Sequence, residues 1–272
     1  MVERFFSTRQ IGGPDSIQPM TLLSGPPCRY FLFFGDSGKT SLLFQFAINC
    51  TSESFGDVVF ICNKRRLENK PPFLSHGVDP ASDALQHIQI KYVEDDEGIK
   101  KFFASFHLHE SFPVAVIIDD FGDFFSDKNC QQRYNNARGR DLAMVRTLAL
   151  CWDAIAHANV FVHFICSKKL QPKASCSLLV ADTHQGDSPR LLFIYKRWIQ
   201  CIFTIQGDGS GSYILKNSCI SGNRQEGTRI AKYSIALQHL ALEEPFLSLQ
   251  QRALAQLSQM ARRTTQRTHG LR

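Results

Sequence analysis

The feature that most constrains this sequence is Gly38-Lys39-Thr40, which stands directly before an apolar run at Leu42–Ala47. It matches the second half of a phosphate-binding loop, G-x-x-x-x-G-K-[ST]. In such a loop backbone N–H groups surround a phosphate, the lysine reaches the outer phosphates, and the hydroxyl holds Mg²⁺. We therefore predict nucleotide binding by Ser37, Gly38, Lys39 and Thr40, with Thr40 also holding Mg²⁺ directly or through water.

The first half of the loop is irregular, because Phe33 rather than glycine stands five residues before Gly38. In one interpretation, a shortened loop begins at Gly35 and follows a strand over Arg29–Phe34. That loop places Asp36 close to the bound phosphates, where its charge repels them.

The second interpretation, which we favour, treats residues 29–36 as an insertion that splits the loop. Removing them joins Gly25-Pro26-Pro27-Cys28 to Ser37-Gly38-Lys39-Thr40 and gives a complete loop. Gly25 is then the first glycine of the motif and a nucleotide-binding residue, and an apolar strand at Met20–Ser24 precedes it. Nucleotide binding by the form that carries residues 29–36 stays open at this point.

A second motif is the apolar run Val114–Ile118, which ends in Asp119 and Asp120. In phosphate-loop enzymes a core strand delivers an aspartate to the Mg²⁺ ion or to its water ligand. Asp119 and Asp120 are accordingly predicted to hold Mg²⁺ together with Thr40. A solvated Asp-Asp turn after a buried strand is the alternative, but the upstream Gly-Lys-Thr favours the metal site.

Apolar runs of strand length alternate with helical patterns, which predicts an α/β fold with a mostly parallel sheet flanked by helices and an antiparallel terminal hairpin. We divide the chain into a polar leader (1–18), a core (19–220), and a C-terminal helix with a basic tail (221–272). Trp152 and His163 are predicted core residues. The patterns predict helices over 94–107, 141–158 and 237–260, strands over 57–62, 87–93, 114–118, 160–166, 190–195 and 198–206, and a hairpin turn at 207–211.

Composition narrows the class of protein. The net charge of +6 permits an anionic partner without requiring one. The nine cysteines include no C-x-x-C pair, which favours free thiols in a reducing compartment over a disulfide framework or a zinc site. No apolar run approaches the roughly 20 residues of a membrane span, so no membrane association is predicted.

With both motifs placed, the chain resembles the RecA-like recombinases, which have a P-loop NTPase core. More narrowly, it is similar to the divergent paralogue that partners a SWIM-type zinc-finger protein in Shu-type complexes. The residues that carry this likeness are Ser37–Phe44, Asp119–Phe124, and the strand at 57–62 that runs into Lys64-Arg65-Arg66-Leu67. The likeness covers roughly residues 19–220.

The resemblance implies a nuclear protein that binds ATP and Mg²⁺, contacts single-stranded DNA, and assists a recombinase filament during homologous-recombination repair. Family members carry DNA-binding loops after the aspartate strand and after the next strand, which places such loops at 126–140 and 167–189. Tyr134 is available there for base stacking. The DNA-binding candidates in these two loops are Arg133, Arg138, Arg140, Lys168, Lys169 and Lys173.

The chain also departs from the family. Recombinases carry a glutamate just past the second strand as general base, and our alignment places Lys64 there, with Glu68 four residues later. We therefore expect weak, DNA-stimulated ATP hydrolysis at most, with no catalytic residue assigned. Two alternatives stay open: a non-hydrolysing interaction scaffold with a vestigial phosphate loop, and a small P-loop kinase.

Overall fold

The computed structural model describes residues 2–7, 30–34, 38–54, 56–126, 128–169, 175–183, 189–199, 201–208, 211–219 and 229–248. The helices are α1 (Lys39–Ser54), α2 (Lys64–Asn69), α3 (Asp83–Gln86), α4 (Asp96–Ala104), α5 (Lys128–Tyr134), α6 (Ala137–Lys169) and α7 (Pro189–Lys196). The strands are β1 (Tyr30–Phe34), β2 (Val58–Cys62), β3 (Ile88–Tyr92), β4 (Ala115–Ile118), β5 (Ser177–Asp182), β6 (Cys201–Gly207), β7 (Ser212–Cys219), β8 (Arg229–Ala236) and β9 (His239–Ser248). Short 3-10 segments occur at Val2–Phe5, Phe106–Leu108 and Phe121–Phe125.

The strands form one nine-stranded sheet in the order β3-β2-β4-β5-β1-β6-β7-β8-β9. Strands β1 to β6 pair in parallel, and β6 to β9 continue the sheet as an antiparallel meander. The predicted α/β class, the parallel sheet flanked by helices and the antiparallel hairpin after β6 are confirmed. The sheet also continues past residue 220 into β8 and β9, where a C-terminal helix was expected.

Two apolar cores cover the two faces of the sheet, because successive strand residues point to opposite sides. On one face, Val58 and Phe60 of β2 pack with α1 and with Phe5 and Phe6 of the N-terminal segment. On the other face, Val59 and Ile61 pack with helices α4, α6 and α7. Every residue of β2 and β4 is buried, which explains why both strands read as continuous apolar runs in the sequence.

The strand before Gly38-Lys39-Thr40 is β1, which pairs in parallel with β5 on one side and β6 on the other. β1 lies inside residues 29–36, the segment that the favoured interpretation treats as an insertion. The predicted strand Met20–Ser24 lies outside the described residues. The observed sheet therefore matches the alternative in which the 29–34 run leads into the loop, and the insertion itself stays a prediction.

The long helix α6 replaces a predicted helix and a predicted strand. The strand prediction over 160–166 is wrong, because α6 continues without a break through this segment to Lys169. Asn159, expected to end the helix, is buried, and its side chain donates to the Cys176 carbonyl (2.9 Å) and accepts from the Cys176 N–H (2.8 Å). These two bonds join the middle of α6 to the start of β5, and a short apolar run cannot by itself distinguish helix from strand.

Two predicted core residues lie on the outer side of α6. Trp152 is 39% exposed, and His163 is exposed and helical rather than part of a buried strand. The sequence patterns assigned Trp152 to the core because it stands at helical spacing with other apolar residues, and His163 because it lies within the apolar run 160–166. In the structure, α6 buries Cys151, Ile155 and Val162 instead, at helical spacing.

The two polar stretches assigned as loops contain regular structure. Residues 126–140 include α5 and the first turn of α6, and residues 167–189 include β5, which lies between β4 and β1 in the sheet. β5 was missed because the segment around it is polar. The loop predictions over these ranges are therefore wrong as to secondary structure.

Two further segments near the C-terminus differ from expectation. Residues 190–195 belong to helix α7, which begins at Pro189, a residue whose fixed φ suits the first helical position. Residues 239–248 form β9, reached from β8 through Leu237 and Gln238, both with positive φ (48° and 64°). This tight hairpin turn lacks the usual glycine or asparagine, so the pattern favoured a helix instead.

Five cysteines, Cys50, Cys62, Cys130, Cys151 and Cys176, are buried and free, as predicted. Cys201 is disulfide-bonded, so the expectation of free thiols is wrong at that position. Within the described part of the chain, no helix combines the length and the apolar character that crossing a membrane requires.

Candidate nucleotide-binding site

The two sequence motifs meet at the carboxyl edge of the parallel strands. Helix α1 begins at Lys39, beside the ends of β1 and β5, and Asp119 and Asp120 directly follow β4. The first intrahelical bond of α1 runs from the Leu42 N–H to the Gly38 carbonyl (3.0 Å), so the preceding N–H groups face out of the helix end. Crevices at this edge of open α/β sheets are where ligands bind.

Lys39 is almost fully buried, with 3% of its surface exposed. Its ammonium forms an ion pair with Asp120 Oδ1 and donates to the Thr183 hydroxyl at 2.6 Å. Thr183 in turn donates to Asp120 Oδ1 at 2.8 Å. The lysine of the motif is therefore held at the sheet edge by a carboxylate, which offers its ammonium the same kind of anionic acceptor as a phosphate does.

Thr40 and Asp119 form a pair of oxygen donors. The Thr40 hydroxyl donates to Asp119 Oδ2 at 2.7 Å, while the buried Asp119 Oδ1 has no hydrogen-bond partner among the described residues. Burial, together with the charge of neighbouring Asp120, raises the pKa of Asp119 to about 6. A hydroxyl and an unsatisfied carboxylate oxygen are the hard ligands that Mg²⁺ prefers, so these two residues fit the ion.

A complete metal cage is absent from the described residues, which contain no group of three or more His, Cys, Asp or Glu side chains suited to a metal. This agrees with Mg²⁺ sites that use one or two carboxylates and take their other ligands from substrate phosphates and water.

Asp120 adopts a left-handed backbone conformation (φ 52°, ψ 53°) at the start of the 3-10 segment Phe121–Phe125. Its carboxylate lies between two cations: Lys39 contacts Oδ1, and Arg66 Nη1 contacts Oδ2 at 3.0 Å. Arg66 also pairs with Asp123. Burial alone would raise the pKa of Asp120, but the Lys39 ammonium and its hydrogen bond hold that pKa below its usual value. We call Lys39, Arg66, Asp119, Asp120 and Asp123 the site cluster.

Asp182, the last residue of β5, positions the surrounding backbone. Its carboxylate accepts hydrogen bonds from the Tyr195 hydroxyl (2.5 Å), the Thr183 N–H (2.8 Å) and the Gly122 N–H (3.2 Å). A Cβ atom at Gly122 would lie 2.6 Å from Asp182 Oδ1, so only glycine permits this approach. Asp182 thereby fixes the segment after β4 against the segment after β5, which carry Asp120 and Thr183.

Gly38 is required on two grounds. Its φ of +72° is in the left-handed region that favours glycine, and a Cβ there would lie 2.5 Å from Cδ1 of Ile235. Ile235 belongs to β8, so the antiparallel part of the sheet packs against the start of α1. Gly25 and Ser37, also predicted to bind nucleotide, lie outside the described residues.

A second charged cluster lies at the start of α4. Asp96 has no exposed surface and accepts hydrogen bonds from Lys100 Nζ (2.7 Å) and the Tyr134 hydroxyl (2.8 Å), and it forms an ion pair with Arg133. Burial alone would raise the pKa of Asp96, but its hydrogen bonds to Lys100 and Tyr134 hold that pKa below its usual value. We call Asp96, Lys100, Arg133 and Tyr134 the helix cluster.

The helix cluster changes the interpretation of two DNA-binding candidates. Arg133 is tied to Asp96 and also to Asp95 (3.3 Å), and Tyr134 accepts a hydrogen bond from Lys100 at 2.7 Å. Both side chains thus have structural partners. Of the remaining candidates, Arg138 is exposed and Arg140 half-buried in the first turn of α6. The side chains of Lys168 and Lys169, and all of Lys173, lie outside the described residues.

Lys64, at the position where the resemblance expects the general base, lies outside the site cluster. It is exposed at the start of α2 and forms an ion pair with Glu68 at 3.8 Å, each side chain being 61% exposed. Neither side chain contacts Asp119 or Asp120 in the described part of the chain.

Sequence reasoning missed Arg66 and Thr183 as members of the site. Arg66 follows β2, and the carboxyl ends of neighbouring parallel strands meet at one edge, so the adjacency of β2 and β4 was the available signal. Thr183 follows β5, which had been read as part of a loop, so its neighbours could not be predicted.

Comparison with known proteins gives one informative similarity. No protein-family model matches the chain. The chain is 26% identical to the human protein ATPase SWSAP1 over 202 residues, a region that spans 71% of this chain and 78% of that protein. The chain is therefore similar to an ATPase across most of both sequences, which supports the RecA-like recombinase family as the one it resembles.

Proposed function

We propose that this chain is a divergent RecA-like ATPase paralogue that assists homologous-recombination repair in the nucleus. It acts as a subunit beside a SWIM-type zinc-finger protein, supports a recombinase filament and contacts single-stranded DNA. The observation that carries the proposal is the convergence of Lys39 and Thr40 with Asp119 and Asp120 at the start of α1. The similarity to an ATPase over most of the chain supports it.

ATP would bind with its outer phosphates at Lys39 and the N-terminal N–H groups of α1, and Mg²⁺ would be held by Thr40 and Asp119, with Asp120 beside them. The site cluster carries three carboxylates and two cations. This surplus of negative charge opposes a free nucleotide, so binding should require Mg²⁺. Because Lys64 replaces the usual general base and is directed elsewhere, hydrolysis should be slow even when ATP is bound.

Equilibrium binding of ATP with and without Mg²⁺ tests this proposal. In the presence of Mg²⁺, Lys39→Ala should weaken ATP binding roughly 10- to 100-fold, as expected when a charged hydrogen bond to phosphate is lost. Lys101→Ala, an exposed lysine on α4, is the matched control and should bind as the wild type does. Equal affinity of Lys39→Ala and wild type would refute nucleotide binding at this site.

A second candidate function, an interaction scaffold with a vestigial phosphate loop, is favoured by the position of Lys64. If the scaffold function is correct, Lys39→Ala should leave assembly with the SWIM-type partner and repair in cells unchanged. If the ATPase function is correct, the same substitution should impair repair. Comparing Lys39→Ala with Lys101→Ala in both assays separates the two functions.

A further inference from the structure

Arg66 is placed at the site cluster by local structure at the end of β2. Asn63 caps helix α2, and its side chain accepts a hydrogen bond from the Arg66 N–H (3.4 Å). The cap fixes the backbone of Arg66 in the first turn, and the side chain reaches back across the sheet edge to Asp120 and Asp123. The Arg66 side chain remains 54% exposed.

The two cations of the site cluster share one carboxylate. Lys39 lies on Oδ1 of Asp120, and Arg66 lies on Oδ2. A phosphate group offers the same kind of acceptor oxygens, and the planar guanidinium fork matches carboxylate and phosphate alike. Asp120 thus forms ion pairs with two cationic side chains, Lys39 and Arg66, whose chemistry also suits a phosphate chain.

We propose that Arg66 is a second phosphate-binding residue that distinguishes a nucleoside triphosphate from a diphosphate. This inference rests on the proposed function. Lys39 and the start of α1 take the phosphates of either nucleotide, and Arg66, one carboxylate further along the edge, takes the additional phosphate of ATP. Asp120 and Asp123 hold Arg66 while that phosphate is absent.

Arg66 can exchange its carboxylate partners for a phosphate because its ion pairs are partly exposed. Its partners Asp123 and Asp120 are 35% and 18% exposed, so neither ion pair is fully shielded from solvent. Asp120 keeps its bonds to Lys39 and Thr183 when Arg66 leaves. Arg133 provides the contrast, because its partner Asp96 has no exposed surface and would be left buried and unpaired. Arg66 can therefore leave its carboxylates, whereas Arg133 cannot.

The test is the affinity for ATP and for ADP, each with Mg²⁺, measured by titration calorimetry on the full chain. Arg66→Ala should weaken ATP binding about tenfold and change ADP binding by less than about twofold. Arg66→Lys, which keeps the charge without the fork, should lose part of the ATP affinity. Arg65→Ala, the exposed neighbour, is the matched control and should change neither affinity.

A gain-of-affinity variant adds an independent arm. Asp123→Asn removes one of the carboxylates that hold Arg66 and also lowers the negative charge of the site, so it should tighten ATP binding about threefold and ADP binding by less. Thermal unfolding of each variant checks that the fold is retained.

The outcomes are distinguishable. An equal loss of ATP and ADP affinity in Arg66→Ala would show that Arg66 only supports the site, and no change in either would show that it does not contact phosphate. Both results overturn this inference while leaving the proposed function standing. If the wild type binds neither nucleotide, the proposed function fails and the inference falls with it.

Discussion

Asp119 in the site cluster and Asp96 in the helix cluster are both buried carboxylates, but their surroundings differ. Asp96 receives hydrogen bonds from Lys100 and Tyr134 and an ion pair from Arg133, and its pKa is held below the usual value. Asp119 receives one hydrogen bond from Thr40, keeps Oδ1 unpartnered within the described residues, and has its pKa raised to about 6.

The difference separates a structural cluster from a candidate binding cluster. Buried polar atoms in proteins are nearly always satisfied, so an unsatisfied carboxylate oxygen in a crevice calls for a ligand, and perturbed pKa values concentrate at functional sites. Both clusters combine basic and acidic residues, so charge content alone does not distinguish them. The two clusters differ in whether the oxygens of the buried carboxylate have hydrogen-bond partners.

The largest effect we expect is on stability in the helix cluster. Asp96→Asn leaves Lys100 and Arg133 without their buried partner and should lower the free energy of unfolding by about 3 kcal/mol. Urea unfolding of the wild type and the variant measures this change. Glu97→Gln, which removes a more exposed partner of Lys100, should cost less than about 0.5 kcal/mol. Similar losses for the two variants would mean that the helix cluster does not stabilise the fold.

A smaller loss of stability is expected beside the site cluster. Gly122→Ala brings a methyl group to within 2.6 Å of the Asp182 carboxylate and should cost about 2 kcal/mol, because the backbone that carries Asp120 and Thr183 must move. It should also weaken ATP binding. Gly207→Ala is the control, since its added Cβ meets ordinary contacts at 3.8 Å. Unchanged stability and unchanged ATP affinity in Gly122→Ala would contradict the role given to Asp182.

Asp119 and Asp96 should also have opposite effects on how the free energy of unfolding depends on pH. The pKa of Asp119 is raised from 3.8 to about 6 in the folded state, so between these pH values the folded protein keeps a proton that the unfolded chain has lost. The free energy of unfolding should therefore fall as pH rises from 4 to 6. Asp96, with a lowered pKa, stabilises the fold above pH 4, and that contribution is lost below it.

Metal-free denaturation of the wild type and of Asp119→Asn at pH 4.5, 5.5 and 6.5 measures the contribution of Asp119. Burial also raises the pKa values of Asp123 and Asp182, which add to the same slope, so the quantity to compare is the difference between wild type and variant. A slope equal in both proteins would mean that Asp119 titrates normally.

The smallest effect concerns DNA. Arg138→Ala should reduce the salt dependence of single-stranded DNA binding by about one counterion, as expected when one phosphate contact is lost. Arg133→Ala should instead lower stability and leave that salt dependence unchanged, because Arg133 is engaged by Asp96. Fluorescence anisotropy with an oligonucleotide at several salt concentrations makes the comparison. If Arg133→Ala reduced the salt dependence and Arg138→Ala did not, Arg133 would contact DNA, and the distinction between the two clusters would be weakened.

Elements whose signals are local could be predicted from the amino-acid sequence. The apolar runs at 58–62 and 115–118 specify buried parallel strands, and Gly-Lys-Thr followed by apolar residues specifies the start of α1. Because both motifs follow strands of one parallel sheet, their meeting at one edge could be predicted before the fold was seen.

Features that depend on partners distant along the chain follow only from the packing of the folded protein. Asn159 continues α6 because its side chain pairs with Cys176, and β5 forms because β4 and β1 lie on its two sides. The roles of Arg66 and Arg133 likewise follow from Asp120 and Asp96, carboxylates tens of residues away. Periodicity and motif spacing record which residues are apolar or charged, but a side chain's partner is fixed only when packing brings remote segments together.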